Sequence, residues 1–560
     1  MKRHLHLIRT LIVCSLFVSY NQSKAQDANN CISCFTSLAP TGQAETLDIP
    51  STHRFQLIFK QGESYTVQND VIANNTVPGN HDFTGYVPIS GSSTLGYVAV
   101  NHETNPGGVS VLDVSFDTEE NLWSVDATEA VDFYDENLVT TIRNCSGGVT
   151  PMGTIITAEE SSSDDSNNDG YLDVGWLVEI DPVTKQVMDY DNDGIKDKLW
   201  AMGKMNHENV VVSNDGTAAY YGEDGGTQCM YKLVPDTPFD LSSGDVFVLV
   251  ADINDLPGIG TGEVNNPSAT WVQVPNDTQE ERNNIRDTAA SLGGTNFNGV
   301  EDAEISVVDG HVYFASKGYS RIYRFTDDGS TTADLETFVG GVTTMYTLQT
   351  ESGPSVAPWA NGNDNITIDN DGNVWVLQDG GNNYVWVVGV NHTQLNPDVR
   401  IFSRTPTGAE PTGLTFTPDN KYGFYSIQHP SGTNGTQTDA TGNDVSFNGS
   451  ATVVFALEEN LGAEVLSTAE FQSLEGVSIY PNPTTGIVNI ELSSIPEKAS
   501  VNVFDMLGRQ VLAISSNDLT INQNTITVDL SQVNSANGML LLQVTADNKR
   551  FEYKVLKTTK

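Results

Sequence analysis

The sequence predicts an all-β fold, a β-propeller of about six blades followed by a small β-sandwich. Helical periodicity is scarce, and its best example is the short segment Thr278–Leu292. The rest of the chain consists of short apolar runs separated by Gly, Asn, Asp and Pro, which is typical of strands and turns. Six of these strands end on a polar cluster: Gly96–Glu103, Gly153–Glu160, Thr217–Asp224, His311–Gly318, Asn373–Gly380 and Tyr422–Pro430.

The spacing of these strands favours a propeller over an array of β-sandwiches. A blade of four strands takes about 40–50 residues, and the units here recur at roughly 50–95 residues, which leaves room for inserted loops. About five to seven blades would therefore fit the span 46–458. Sandwich strands have no reason to share polar C-terminal ends.

The polar strand ends predict a charged, metal-bound centre. A strand fixes the direction of its last side chain, so several strands can deliver their ends to one place. Any one of these residues alone is better explained as a surface or loop carboxylate, but a converging set would repel itself unless cations were bound. The strand end Ser316–Gly318 offers no ligand, and its blade has acids upstream instead. The candidates are His102, Glu103, Glu159, Glu160, His207, Glu208, Glu223, Asp224, Glu301, Asp302, Asp379, Glu410 and His429.

Composition and the N-terminus indicate an exported, acidic protein. The 560 residues include 72 acidic and 27 basic side chains, a formal net charge of -45. Such a surface repels nucleic acid and anionic lipid, so neither is expected as a partner. Lys2 and Arg3, the apolar run Leu11–Val18 and a small-residue cleavage site predict a signal peptide over 1–25. No later segment reaches transmembrane length.

The four remaining cysteines divide into two kinds. Cys31 and Cys34 form a CxxC near the predicted mature N-terminus, which favours a local disulfide over a metal pair. Cys145 and Cys229 are far apart and are expected to be separate thiols. Metal ligation would be one reason for an exported protein to keep a free thiol.

Two segments fit the calcium-loop pattern D-x-[DN]-x-D-G-x-x-D, 24 residues apart. Alternate side chains around a tight glycine turn supply the hard oxygens that calcium needs. Neither segment has the glutamate at position twelve or the flanking helices of an EF-hand, so both are expected in loops of an insertion at about 161–198. The alternative is a pair of ordinary Asp/Asn/Gly turns. The predicted structural-calcium ligands are Asp165, Asn167, Asp169, Asp173, Asp189, Asp191, Asp193 and Asp197.

A polar stretch at 461–474 predicts a linker between a propeller domain at 26–460 and a C-terminal domain at 475–560. The C-terminal domain resembles the sorting domain of the type IX secretion system through Tyr480–Pro483, Asp505–Arg509 and Lys554–Lys557. It departs from that family at Met539, where an aromatic residue is usual. The resemblance implies passage through the periplasm, the type IX machinery as a partner, and a secreted or cell-surface location.

The sharpest motif is NCSGGVTPMGT at 144–154, which is followed by a strand that ends in Glu159 and Glu160. A glycine pair brings the backbone close, Cys145 lies on the turn, and the strand delivers two carboxylates. This motif, with blocks such as MNHENVVV and VEDAEISVVDGHVYFASKG, resembles the PhoX-type alkaline phosphatases. Met152 replaces the usual tryptophan.

The resemblance implies a propeller phosphatase that holds iron and calcium. Cys145 would be a thiolate ligand to iron. Arginine or lysine holds the phosphate in this family, but no motif identifies which one does so here. The implied carboxylate ligands are Glu103, Glu160, Glu208, Glu223, Glu301, Asp379 and Glu410, and the candidates for phosphate binding are Arg143, Arg321 and Arg404. The sequence leaves open which member of each adjacent pair binds the metal.

The sequence therefore predicts a secreted, metal-dependent phosphomonoesterase that acts on phosphate esters. Neither a G-x-S-x-G motif nor a P-loop is present, which disfavours a serine hydrolase and a nucleotide-driven enzyme. Two alternatives stay open from the residues alone. One is a non-catalytic, calcium-stabilised propeller that binds a partner at the cell surface, and the other is a propeller hydrolase of another class, a lactonase or a phosphodiesterase.

Overall fold

The computed structural model divides the chain into two compact units, Met1–Glu464 and Val465–Lys560. The predicted signal peptide at 1–25 and nearly all of the predicted linker lie outside the described residues. No helix in the described part of the chain is long and apolar enough to cross a membrane. The structure describes residues 31–68, 75–135, 138–254, 262–359, 361–462, 478–492, 495, 498–505, 509–515, 519–531, 533, 538–546 and 549–558.

The first unit contains six four-stranded antiparallel arrangements, the blades of a propeller, so the predicted fold is confirmed. The first three blades follow one another along the chain. Blade 1 comprises β2 (His81–Pro88), β3 (Leu95–His102), β4 (Gly108–Asp117) and β5 (Leu122–Ala130). Blade 2 comprises β6 (Asn144–Val149), β7 (Ile155–Glu159), β8 (Leu177–Asp181) and β9 (Gln186–Val187). Blade 3 comprises β10 (His207–Val212), β11 (Ala219–Glu223), β12 (Met230–Thr237) and β13 (Asp240–Val250).

The N-terminal strand β1 (His53–Lys60) completes the last blade by pairing with β31 (Ala451–Leu457), and this pairing closes the propeller. Blade 4 comprises β17 (Val300–Ile305), β18 (Val312–Ser316), β19 (Arg321–Asp327) and β20 (Thr331–Gly340). Blade 5 comprises β23 (Asn363–Ile368), β24 (Val374–Gln378), β25 (Tyr384–Val388) and β26 (Val399–Arg404). Blade 6 comprises β27 (Glu410–Phe416), β28 (Tyr422–Gln428), β31 (Ala451–Leu457) and β1.

Additional elements lie between the blades and within their connections. The predicted helix at Thr278–Leu292 is two short helices, α1 (Gln279–Asn283) and α2 (Ile285–Ser291), and a capping box of Thr278 and Glu281 starts the first. Short 3₁₀ turns lie at Ile89–Gly91 and Trp200–Met202. The additional strands are β14 (Ile253–Asn254), β15 (Glu263–Val264), β16 (Ala269–Val274), β21 (Met345–Thr350), β22 (Gly353–Pro358), β29 (Thr436–Thr438) and β30 (Asp444–Ser446).

The second unit is a sandwich of two four-stranded sheets, β32-β33-β37-β36 and β35-β34-β38-β39. Alternate apolar side chains such as Val501, Val503, Leu540 and Leu542 are buried in its core, as the period of two in these strands requires. The strands are β32 (Ser478–Tyr480), β33 (Ile487–Glu491), β34 (Ala499–Asp505), β35 (Gln510–Ile514), β36 (Thr520–Asn522), β37 (Thr525–Asp529), β38 (Gly538–Ala546) and β39 (Lys549–Lys557).

Apolar packing between neighbouring blades holds the propeller together. Trp375 and Trp386, for example, are fully buried and belong to two different clusters on either side of blade 5. The first strands of the blades contact one another in a closed ring, β2–β6–β10–β17–β23–β27 and back to β2. The predicted disulfide between Cys31 and Cys34 is present, so that prediction is confirmed.

The buried His53 makes the propeller sensitive to acid. Burial lowers the pKa of His53 to about 4, although its Nε2 lies 2.9 Å from the carbonyl oxygen of Ile32. Because the unfolded chain binds this proton near pH 6.5, acid favours unfolding between pH 6.5 and pH 4. From pH 7 to pH 5 the parent should lose ~2 kcal/mol more unfolding free energy than His53→Gln. Urea unfolding at both pH values measures this, and equal losses in the two proteins would contradict it.

Candidate metal centre

The first strand of each blade delivers one side chain to the propeller axis. In blades 1 to 5 the pairing between the first and second strands shifts register at this point, which indicates a β-bulge. A bulge re-aims a side chain and is common beside active sites. We call the six residues of these strand starts that line the central cavity the inner ring. They are Asp82, Cys145, Glu208, Glu301, Asp364 and Glu410.

The second strand of each blade ends beside the start of the first, because the two are antiparallel. His81 pairs with His102 and Asn144 pairs with Glu159, and in each case the residue after the pair faces the axis. We call the residues at these strand ends that line the cavity the outer ring. They are Glu103, Glu160, Asp224, Lys317, Asp379 and Gln428.

The two rings enclose a cavity of ≈ 140 Å³, which Arg143 and Thr412 also line. The described lining residues include nine carboxyl groups, one thiol and two cationic side chains. The positive charges of two side chains cannot balance the negative charges of nine carboxylates. Burying that much negative charge costs several kcal/mol per ion unless further positive charge is bound.

The pKa values of carboxyl groups in both rings reflect this excess of negative charge. Burial, together with neighbouring carboxylates, raises the pKa of Glu208 and of Glu301 well above the usual range. Burial also raises the pKa of Glu410 to about 8 and that of Glu160 to about 7. Among the described residues, Glu301 Oε1 and Glu410 Oε2 are buried without a hydrogen-bond partner. The cavity therefore favours bound cations, which would take the place of protons on these oxygens.

Among the described residues that line the cavity, two sets of side chains have ligand atoms within 4.8 Å of one another. The first set is Cys145, Glu160 and Glu208, and the second is Glu208, Asp224 and Glu301. Cys145 Sγ lies 3.5 Å from Glu208 Oε2, and burial raises the pKa of the thiol well above its usual value. Glu208 belongs to both sets, so its carboxylate can bridge two ions.

Lys317 and Arg143 are the two cationic groups of the cavity. Lys317 Nζ lies 2.8 Å from Asp364 Oδ2, 2.9 Å from Asp379 Oδ2 and 3.8 Å from Glu301 Oε1. The Arg143 guanidinium joins Glu103 and Glu160, and its residue has a positive φ of 53°. Gln428 Nε2 adds a neutral donor to Asp82 Oδ2 and Glu103 Oε2, each at 3.1 Å.

One predicted carboxylate ligand lies outside the cavity. The carboxylate of Glu223 accepts hydrogen bonds from the backbone of Thr227 and Gln228 and lies 3.2 Å from Arg286 Nε. Its neighbour Asp224 lines the cavity instead. The physical reason is strand alternation, since Glu223 is the register partner of His207 and the following residue faces the axis.

Two of the three predicted phosphate-binding arginines also lie elsewhere. Arg321 is buried beside Glu263 and Thr337, and Arg404 is paired with Asp48. Both arginines form ion pairs with carboxylates that do not line the cavity. Of the three, only Arg143 lines the cavity.

The remaining members of the acidic and histidine pairs make hydrogen bonds or ion pairs with groups around the cavity. His102 Nε2 lies 2.6 Å from Ser110 Oγ, and His207 Nε2 lies 2.7 Å from the carbonyl oxygen of Gly203. Asp302 accepts a hydrogen bond from the backbone N–H of Ile366 in the next blade. His429 lies at the cavity edge, with Nε2 2.8 Å from Glu410 Oε1.

Sequence reasoning missed Asp82, Asp364 and Lys317. Asp82 and Asp364 are not part of the polar strand ends or of the acidic and histidine pairs from which the ligands were predicted, and Lys317 offers no ligand atom to a cation. A signal for the aspartates exists in the sequence. Asp82 follows a histidine and Asp364 follows an asparagine, as Glu208 and Cys145 do, each at the start of a first strand.

The two predicted calcium loops share a hydrogen bond at their glycine turn. The glycine N–H donates to the first aspartate of its loop, Gly170 to Asp165 Oδ2 at 3.1 Å and Gly194 to Asp189 Oδ2 at 2.9 Å. The first loop connects β7 to β8, and the second connects β9 to β10. The first loop follows the strand end that carries Glu160, and the second precedes the strand that carries Glu208.

The two loops differ in how their oxygens are arranged. Asp189, Asp191 and Asp197 bring carboxylate oxygens within 4.8 Å of one another, and Asp189 Oδ1 is buried without a hydrogen-bond partner among the described residues. Burial, and then the neighbouring aspartates, raise the pKa of Asp197. In the first loop Asn167 Nδ2 donates to Asp169 Oδ2 at 2.8 Å. The second loop is the better prepared cation site.

Comparison with known proteins gives two family matches. The family described as alkaline phosphatase PhoX matches residues 127–431, and the family described as secretion system C-terminal sorting domain matches residues 478–558. A comparison with curated protein sequences gives no significant match.

This chain is also similar to solved structures. PhoX of Pseudomonas fluorescens, solved with vanadate as a transition state analogue, is 21% identical with a TM-score of 0.57, and the match covers 76% of this chain and 98% of that one. The periplasmic gluconolactonase of Pseudomonas aeruginosa is 11% identical with a TM-score of 0.36, over 73% of this chain and 99% of that one. The second likeness is too distant to carry an argument about function.

Proposed function

Because this chain belongs to the PhoX family of alkaline phosphatases, we propose that it hydrolyses phosphate monoesters with iron and calcium ions held by its inner and outer rings. The family makes it a phosphoric monoester hydrolase. Its sorting domain assigns it to type IX secretion, which delivers proteins to the cell surface or the exterior. The observation that carries the proposal is the pair of ligand sets that share Glu208 inside an acidic cavity.

The donor chemistry fits these two metals. A thiolate such as that of Cys145 is a soft ligand that suits iron, whereas carboxylates suit calcium and also bind iron. Metal binding would deprotonate the Cys145 thiol and the carboxyl groups whose pKa values burial now raises. We propose the following ligands: Cys145, Asp82, Glu103, Glu160, Glu208, Asp224, Glu301, Asp364, Asp379 and Glu410.

When bound, the ions would supply positive charge to the phosphoryl oxygens and activate a water for attack. Arg143 and Lys317 would bind the remaining phosphoryl oxygens, since both end in the cavity and carry several N–H donors. Glu103, Asp364 and Asp379 would hold these two cations in place before the substrate arrives. Such preorganised charge is the main source of catalysis in phosphoryl transfer. Family membership favours this function over a calcium-stabilised binding propeller and over a lactonase or phosphodiesterase.

Metal analysis together with an activity assay tests the proposed function. The protein expressed with iron and calcium should retain both metals through gel filtration and should hydrolyse p-nitrophenyl phosphate. Removal of the metals with a chelator should abolish turnover, and restoring both should recover it. Turnover that persists in metal-free protein would contradict the proposal, and calcium without iron or turnover would favour the binding propeller.

We also propose that the second aspartate loop binds a structural calcium ion. Support comes from its three converging carboxylates and from the unpartnered Asp189 Oδ1. Calcium at 100 times its dissociation constant should stabilise the fold by about 2.7 kcal/mol. The double variant Asp189→Asn/Asp191→Asn should lose this part of the calcium-dependent rise in unfolding free energy.

The matched control is Asp215→Asn, which changes an ordinary exposed Asp-Gly turn whose carboxylate accepts hydrogen bonds from Ser213 and Thr217. This variant should keep the full calcium response. An unchanged calcium response in the double variant would show that the loop is an ordinary turn. The first loop, with Asp165, Asn167, Asp169 and Asp173, should bind calcium more weakly because its Asn167 amide already satisfies Asp169.

A further inference from the structure

Lys198 has a buried ammonium group close to the proposed metal centre, although it lines no part of the cavity. The side chain of Lys198 is 1% exposed, and that of Glu159, its ion-pair partner, is fully buried. Lys198 Nζ lies 2.6 Å from Glu159 Oε1 and 2.8 Å from Oε2. It also donates to the carbonyl oxygens of Asp173 at 2.6 Å and Thr140 at 3.2 Å. The Lys198 side chain thus joins its own position to three other points in and around blade 2.

Each of these four positions is close in sequence to a cavity residue or to an aspartate loop. Glu159 precedes Glu160, whose carboxylate belongs to the first ligand set. Thr140 lies three residues before Arg143, on the segment that carries this cation to the cavity. Asp173 is the last residue of the first aspartate loop, and Lys198 directly follows Asp197 of the second loop. Lys198 therefore lies where both loops meet the strand and the segment that supply the cavity.

The backbone transmits the position of Lys198 to the site. The Glu159 carboxylate also accepts hydrogen bonds from the backbone N–H groups of Gly175 and Trp176, at 3.0 and 3.1 Å, so it cannot rotate freely. The backbone N–H of Glu160 donates to the carbonyl oxygen of Arg143 at 3.0 Å. A shift of the Lys198–Glu159 pair would thus displace a metal ligand and a phosphate-binding cation together.

We infer that Lys198 is a positioning residue, which through Glu159 and Thr140 fixes the Glu160 carboxylate and the Arg143 guanidinium relative to each other. Any buried ammonium needs acceptors for its three N–H groups. Here Glu159 directly precedes Glu160, Thr140 lies on the segment that leads to Arg143, and Asp173 lies in the first aspartate loop. The inference rests on the proposed metal-dependent function, because it concerns how that site is held.

The double variant Lys198→Met/Glu159→Leu tests it. Removal of both charges of a buried pair by apolar residues often preserves stability, whereas removal of one does not. The double variant leaves the backbone N–H groups of Gly175 and Trp176 without their acceptor, so it should fold with reduced unfolding free energy. The folded variant should lose more than half of its iron per chain and at least tenfold in kcat/KM. A folded double variant with the iron content and kcat/KM of the parent would overturn the inference.

The matched control is Lys232→Met/Asp327→Leu. Lys232 is likewise buried, 2.8 Å from Asp327 Oδ2 and from the carbonyl oxygen of Gly329, but it lines no part of the cavity. This variant should keep iron content and kcat/KM. If it lost them equally, Lys198 would have no special role.

Lys198→Arg provides a second test if the first double variant does not fold. It keeps the charge and the donors but is longer, so it should fold with reduced iron content and reduced kcat/KM. Parental values of both in folded Lys198→Arg would also overturn the inference. Iron and turnover absent from the parent protein itself would instead refute the proposed function, so the two failures are distinguishable.

Discussion

Cys145→Ala is expected to lose its iron and to lower kcat/KM for p-nitrophenyl phosphate by more than about 100-fold. Substitution of a residue that only orients a metal ligand lowers metal affinity or activity by about 10- to 100-fold, and loss of a ligand itself should lower them further. Cys145 Sγ lies in a ligand set with Glu160 and Glu208, and soft sulfur is the donor that favours iron over calcium in this cavity. Iron per chain and steady-state kinetics measure the effect.

Cys229→Ala is the matched control for this substitution. Cys229 is the other buried free thiol of the described chain, and its Sγ lies 3.5 Å from the carbonyl oxygen of Thr227. It is packed in the same apolar cluster as Cys145 but does not line the cavity. The control should keep iron and activity. Full iron content in Cys145→Ala would remove Cys145 from the site.

Lys317→Met and Arg143→Met are each expected to lower kcat/KM by about 10²–10³-fold, the effect of removing one preorganised charge or donor from a transition state. Both side chains end in the cavity, where the carboxylates of Asp364, Asp379 and Glu103 hold them. Inhibition by inorganic phosphate should weaken in parallel. Metal content distinguishes the causes, because a phosphate-binding role leaves iron and calcium bound.

Arg321→Met and Arg404→Met serve as controls for charge removal. Both arginines are paired with carboxylates away from the cavity, Glu263 and Asp48 respectively. Their loss should affect stability and leave kcat/KM within about twofold. A larger loss of activity in Arg321→Met than in Lys317→Met would contradict the assignment of phosphate binding.

The sequence was informative where chemistry and spacing repeat. The propeller followed from the recurring turn, strand and polar end, and the NCSGGVTPMGT motif identified Cys145 and Glu160 as members of the site. Sequence patterns did not reveal that β1 closes the last blade, because pairing between His53–Lys60 and Ala451–Leu457 spans almost the whole propeller. Non-local strand pairing has no local signature.

The choice within adjacent acidic pairs could not be made from the sequence. Glu223 and Asp224 have the same chemistry, and only the register of β10 with β11 directs the second of them to the axis. The same register rule places Glu160 rather than Glu159 in the cavity. Lys317 could not be predicted for a different reason. A lysine cannot bind a metal cation, and only the structure shows that Lys317 is one of two cationic side chains among the described residues that line the cavity.

The most direct test of the metal centre is a crystal structure of the protein purified with iron and calcium, with anomalous differences measured on both sides of the iron absorption edge. We expect an iron peak within bonding distance of Cys145 Sγ, with Glu208 as a ligand shared with a neighbouring ion. No iron peak in the cavity, or one that Cys145 does not contact, would contradict the account.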